Sequence, residues 1–164
     1  MKNILLLLFI ILFNSCNIFN EGKSAQKLWD EGQKYRIEED LKESINRYKA
    51  IINSYPNHEL APKAQFQIAD IYLNDTKDYE YAIKEFKVVY TKYPDYNVAK
   101  KSLFMIAYIY NNYINAYTDA IEYYDIFRNK YPDDELMPSV EYELNGLLKI
   151  NNDIDSLRLL RKEK

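Results

Sequence analysis

The chain of 164 residues contains one cysteine, one histidine, one tryptophan, three glycines and five prolines. Each scarcity removes a class of function. With Cys16 alone, no intrachain disulfide, paired-cysteine redox motif or cysteine-rich metal site can be built. With His58 as the only histidine, an HExxH metal site is excluded and no histidine triad is found. Glycines at 22, 32 and 146 are too scattered for a phosphate-cradling loop. A balance of 22 basic against 25 acidic residues leaves a net charge of -3, without the basic surplus that tracks a phosphate backbone, so no nucleic-acid partner is expected. Low glycine and proline with 48% hydrophobic content exclude linker composition and wholesale disorder. Acidic runs such as Glu38-Glu39-Asp40 and Asp133-Asp134-Glu135 fall at helix starts, where negative charge is favourable, and match no calcium loop. No cofactor and no metal are expected. What is abundant is tyrosine, 17 residues, suited to half-buried helical packing.

Lys2, an unbroken apolar run from Ile4 to Phe13, and then Asn14 and Ser15 precede Cys16. That run is far short of the roughly 20 residues a membrane-spanning helix needs and fits the core of an export signal. Residues 1–15 are therefore expected to be a signal peptide. The lone cysteine after a small residue resembles the lipobox of bacterial lipoproteins, which implies cleavage before Cys16 and acylation of that residue; ordinary signal cleavage and a retained anchor are the alternatives. Residues 16–23 then form the lipidated cysteine and a polar tether.

From residue 24 onward the chain repeats. Tyr-Pro recurs at Tyr55-Pro56, Tyr93-Pro94 and Tyr131-Pro132, an interval of 38. In the same register stand Ser44, Ala82 and Ala120, then Tyr48, Phe86 and Tyr124. Self-similarity at this period marks a stack of helical hairpins. Apolar spacings of three and four predict helices over 24–36, 40–54, 61–74, 78–92, 98–112, 116–130, 136–150 and 153–162. Each proline forces the preceding tyrosine out of the helical region and ends a second helix. Asp40 with Glu43 reads as a capping box, and Asp95 and Asp133 as residues that cap or turn the chain. Asn151-Asn152 is expected to break the last unit. Small residues at Gly32, Ala69 and Ala107 on the first helices, facing Ser44, Ala82 and Ala120, allow close backbone approach.

Gly32, Tyr35, Ser44, Tyr48 and Pro56 resemble the tetratricopeptide pattern of Gly, Tyr, Ala, Phe and Pro. Ala69, Tyr72, Ala82, Phe86 and Pro94 follow it, as do Ala107, Tyr110, Ala120, Tyr124 and Pro132. The resemblance implies an all-α, right-handed tetratricopeptide-repeat-like solenoid of about four helical hairpins, with units near 24–58, 61–96, 98–134 and 136–162. Units two and three are longer than the usual 34 residues, with an extra residue expected in the turn and a longer crossing after proline. With the lipoprotein signal, the array is similar to the BamD lipoproteins of the outer-membrane β-barrel assembly machinery and to the CpoB periplasmic repeat domain. That implies a non-enzymatic, lipid-anchored scaffold on the periplasmic face of the outer membrane, binding envelope proteins or their peptide or helical segments, including a β-barrel assembly subunit. A Tol-Pal or peptidoglycan-synthesis adaptor and an accessory lipoprotein of a secretion or export system are the alternatives.

In tetratricopeptide arrays the first helix of each hairpin lines the inner surface. Trp29, Phe66, Phe104 and Tyr142 recur there, and Tyr108 lies one turn beyond Phe104. They are either rings packed between neighbouring hairpins or anchors for a bound segment. Ile106 follows Phe104 by about 200° around the helix, so the two cannot enter one contact. Gln33, Arg36, Lys63, Asp70, Lys101 and Asn111 are the polar candidates on this face, with Arg36 and Lys101 expected to pair with a partner's carboxylates. His58 is expected to be a solvated turn residue.

Overall fold

Helical periodicity is realised along the whole described chain. The protein was described from a computed structural model covering residues 23–162, with side chains to residue 150. The expected export signal, Cys16 and the tether ahead of Lys23 lie outside the described residues. Helices α1 (Ala25–Ile37) and α2 (Leu41–Ser54) form the first hairpin, α3 (Leu60–Asp70) and α4 (Tyr79–Lys92) the second, and α5 (Asn97–Ile109) and α6 (Tyr117–Lys130) the third; α7 (Met137–Lys162) follows. Each helix packs on the next, and α3 also touches α1 and α5. The described residues therefore make an all-α solenoid in which each unit buries its apolar face against its neighbours.

The punctuation follows from local chemistry. Tyr55, Tyr93 and Tyr131 close α2, α4 and α6 with φ of -133°, -126° and -133°, the extended backbone that the following proline imposes. Each hairpin then turns through one left-handed residue, Glu39, Lys77 or Asn115, at φ of 61°, 57° and 60°. The next residue is the N-cap of the second helix. Its N–H reaches back to the carbonyl of Tyr35, Tyr72 or Tyr110 at 2.9, 2.8 and 2.9 Å, which satisfies an orphan carbonyl at the end of the first helix. Asp40 and Asp78 also accept from the N–H of Glu43 and Tyr81 at 3.1 and 3.2 Å, whereas Ala116 has no such side chain.

The small residues sit where the helices meet. Ser44, Ala69, Ala82, Ala107 and Ala120 are fully buried, as are Tyr48, Phe86 and Tyr124. The Ser44 hydroxyl donates to the Gly32 carbonyl at 2.8 Å, tying α2 to α1.

Three local expectations are corrected. The additional residue of the second and third units is absorbed within π-helical turns at Ile71–Asp75 and Tyr110–Ile114 that end the first helices, not in the connecting turn. Insertion of a residue into a helical ladder widens one turn and re-aims the side chains after it. The capping box is half made, because the Glu43 carboxylate turns to Arg47 and Asn46 while the Asp40 N–H goes to Tyr35. Between units, Asp95 and Asp133 lie in the turns that lead into the next unit, as expected; Asp134 accepts from Leu136 N–H at 3.0 Å there, and exposed His58 does the same for Leu60 through Nδ1 at 3.1 Å. Finally, the helix that starts at Met137 runs through Asn151-Asn152 to Lys162 without a break.

Candidate partner-binding surface

The first helices α1, α3 and α5 and the start of α7 present one register to one side of the stack. Trp29 lies edge-on against Tyr48 at 5.4 Å between centroids, Phe66 against Phe86 at 5.2 Å, and Phe104 against Tyr124 at 5.8 Å. All three first-helix rings stay half-buried, while their partners are fully buried. Each ring thus closes its own hairpin; these ring partners do not come from the neighbouring hairpin. Ile68 and Ile106 take the core direction instead and are buried. Tyr142, at the same register on α7, is 79% exposed.

The rings are most continuous at the third hairpin. Phe104 stacks on Tyr108 at 6.1 Å and 20°, Tyr108 meets Tyr113 edge-on at 6.0 Å, and Tyr113 stacks on Tyr79 at 4.6 Å and 17°. Tyr113 comes from the π-helical turn after α5 and is 41% exposed. Tyr79 and Tyr113 escaped sequence reasoning because the wider turn alters the facing of residues after Ile109. The extra residue relative to the 34-residue pattern was the available signal.

The polar candidates are largely engaged. Arg36 NH2 lies 2.7 Å from both Asp70 and Asp75, its Nε donates to Asp75 at 2.7 Å, and NH1 donates to Gln67 at 3.0 Å. Two carboxylates from the second hairpin therefore answer one guanidinium from the first. This corrects the expectation that Arg36 awaits a partner's carboxylate: a third carboxylate would meet net negative charge there. Asp70 also accepts from Asn74 at 2.7 Å. Asn111 donates to Glu143 at 2.8 Å and links α5 to α7. Lys63 is exposed and 3.9 Å from Glu59, and Lys101 is exposed. Gln33, with Arg36, Ile37, Tyr48 and Gln67, lines a cleft of about 300 Å³. Ile37 beside it is 83% exposed.

Burial pushes the phenol pKa of Tyr48 and Tyr124 up from the ordinary value, since a phenolate would lose its hydration. Among the described residues, no group of three or more His, Cys, Asp or Glu is placed to hold a metal ion. Among the described residues, no helix is long and apolar enough to cross a membrane. This arrangement offers contact area and hydrogen-bonding groups, with Arg36, Asp70 and Asn111 spent on joining neighbouring units and Lys101 left exposed.

Residues 63–96 and 101–134 each match the family model for the tetratricopeptide repeat. Those two segments are tetratricopeptide repeats, and the array is a tetratricopeptide-like solenoid. No curated protein matches the chain. Tetratricopeptide repeats generally mediate protein–protein interaction, and the two matched repeats suggest a protein-binding scaffold.

Proposed function

We propose that this protein is a lipid-anchored scaffold of the bacterial envelope, held at the periplasmic face of the outer membrane through Cys16. Its partner is an envelope protein, specifically a segment of a β-barrel assembly subunit laid across α3, α5 and the tip of the third hairpin. The observation that carries the binding surface is the run of rings Phe104, Tyr108, Tyr113 and Tyr79. Aromatic side chains that are half-covered by one another bury more area against a partner while losing little conformational entropy. A partner helix or extended segment would use Tyr108 and Tyr113 as anchors, with Lys101 available at the rim. The envelope setting is supported by the apolar run Ile4 to Phe13 followed directly by Ser15 and Cys16.

A photo-crosslinking residue introduced at Tyr108 in the full chain, expressed in its native cell, tests the surface. Adducts with a β-barrel assembly subunit are expected at Tyr108 and absent at exposed Lys84 on α4. Equal adducts at both sites, or none at Tyr108, would reject this surface. Metabolic labelling with an alkynyl fatty acid tests the anchor. Wild type is expected to take up label and Cys16→Ser is not; the same labelling of both removes the lipid attachment.

A further inference from the structure

Helix α7 repeats the pattern of a first helix, and the face that a second helix would cover is open. Val140, Leu144 and Leu147 are buried against the third hairpin. Away from that contact, Tyr142 is 79% exposed and Ile150 43%. Tyr142 stands at the register where Trp29, Phe66 and Phe104 each meet a ring of their own second helix. Tyr142, Asn145, Gly146 and Ile150 line a cleft of about 460 Å³.

The chain beyond this face has the sequence of a turn and the conformation of a helix. In the three observed hairpins a left-handed residue immediately precedes the N-cap of the second helix: Glu39 before Asp40, Lys77 before Asp78, Asn115 before Ala116. Asn152-Asp153 is such a pair, since asparagine tolerates the left-handed region and aspartate is a strong N-cap. The interval from Asn145 to Asp153 equals that from Gly32 to Asp40, in the hairpin without a π-helical turn. The fourth unit thereby aligns with the first residue for residue, setting Tyr142 on Trp29, Asn145 on Gly32 and Leu157 on Ser44. Yet the backbone is helical from Met137 to Lys162. At 1.5 Å per residue a straight helix carries residue 157 about 18 Å along the axis from Asn145. The segment matched to the open face therefore cannot reach it within the same molecule.

We propose that residues 153–162 of a second copy cover the Tyr142 face, and that the exchange is reciprocal. The product is a two-fold dimer in which the two continuous α7 helices pair antiparallel about an axis near residue 151. Converting a turn into a continuous helix moves an element to the partner while keeping the packing it would make at home. The side-chain sizes agree with this alignment. Gly32 is required in the first hairpin because a Cβ there would stand 2.8 Å from the Tyr48 ring. At the matching positions of the fourth unit the sequence has Asn145 and, in place of the ring, Arg161. The larger residue occurs where the ring is missing.

The contact between Ser44 and Gly32, 2.8 Å from hydroxyl to carbonyl, identifies the pair that cross-linking should join. Full chains in the Cys16→Ser background, one with Asn145→Cys and one with Leu157→Cys and differently tagged, are coexpressed and oxidised. A covalent heterodimer is expected, with sedimentation equilibrium giving twice the chain mass for the Cys16→Ser parent. Asn152→Gly, which favours the turn, is expected to shift the population toward monomer. A single-chain mass for the parent overturns the proposal. So does an internal disulfide in the Asn145→Cys, Leu157→Cys double variant without dimer, which would mean that the segment folds back on its own chain. A dimer that gives no heterodimer cross-link overturns it as well, since the copies would then meet through another face.

Discussion

A Cβ built on Gly32 would lie 2.8 Å from Cε1 and 2.9 Å from Cζ of Tyr48. The Tyr48 ring is fully buried and edge-on to Trp29, so it has no free direction in which to retreat. Glycine at this helix position costs intrinsic helix stability, and the ring contact makes that cost unavoidable.

Gly32→Ala and Gly146→Ala separate these two effects. Both gain roughly 1 kcal/mol of helix propensity. Nothing lies within 4 Å of a Cβ at Gly146, so that variant is expected to raise the urea midpoint. At Gly32 the overpacking cost of about 1 to 3 kcal/mol offsets the gain and lowers the midpoint. Adding Tyr48→Leu to Gly32→Ala should make the alanine less costly than it is alone. Equal midpoints for the two single variants would contradict the close approach of α1 and α2.

Arg36 is expected to behave as a joint between the first two hairpins. Its side chain is 23% exposed, and those of Asp70 and Asp75 are 25% and 31% exposed. Arg36→Met keeps the apolar stem and leaves two carboxylates without their cation. The expected loss is about 1 to 3 kcal/mol, in the range for partly buried hydrogen bonds to charged groups. Combining Arg36→Met with Asp75→Asn should cost less than the sum, by more than about 0.5 kcal/mol. Strict additivity by urea denaturation would mean that the guanidinium acts through packing alone.

A pH dependence follows from Asp134. Its carboxylate pairs with Lys100 and accepts from the Leu136 N–H, and the side chain is 6% exposed. The Lys100 ammonium, followed by the backbone contact, holds the carboxyl below its ordinary pKa, with burial working in the opposite direction. Folded pKa lies below unfolded pKa. The ionised pair therefore contributes stability above the ordinary carboxylate range, and that contribution is lost as pH falls through the lowered folded value. Asp134→Asn retains an acceptor for Leu136 and removes the charge. Its midpoint should lie below wild type at neutral pH, with the gap closing in acid. A gap independent of pH would assign the effect to the turn rather than to the ion pair.

The legible parts of this fold were those written as repeated local chemistry. Tyr-Pro fixed the ends of α2, α4 and α6 because proline constrains the residue before it. Gly32 with Ser44 marked a close contact because small residues recur at one period. The opposed facing of Phe104 and Ile106 followed from helical geometry. The fold's illegible parts depend on distance or on competition. Arg36 meets Asp70 and Asp75 only after two hairpins stack, and nothing local in the sequence pairs them. A π-helical turn and a longer loop contain the same extra residue, so periodicity could not choose between them. At Asn152-Asp153 a turn signature competes with helix propagation, and the outcome depends on whether a second helix is there to pack against.

The Tyr124 hydroxyl supplies a last prediction, because the repeat contains its own control. Tyr124 is fully buried on α6, and its Oη has no hydrogen-bond partner among the described residues. Phe86 occupies the same register on α4, makes the same edge contact with a first-helix ring, and has no hydroxyl to satisfy. An unpaired buried polar group costs about 1 to 3 kcal/mol of desolvation, whereas the small void left by removing one oxygen loses only a few dispersion contacts. Tyr124→Phe is therefore expected to leave the urea midpoint unchanged or raise it, by up to about 1 kcal/mol. The reverse change, Phe86→Tyr, inserts a hydroxyl into an equivalent apolar site and should cost about 1 to 3 kcal/mol. The pair of measurements is informative because ring volume is held nearly constant while one oxygen moves between repeats. A loss of more than about 0.5 kcal/mol in Tyr124→Phe would place a partner on that hydroxyl, since a satisfied hydrogen bond contributes about that much or more.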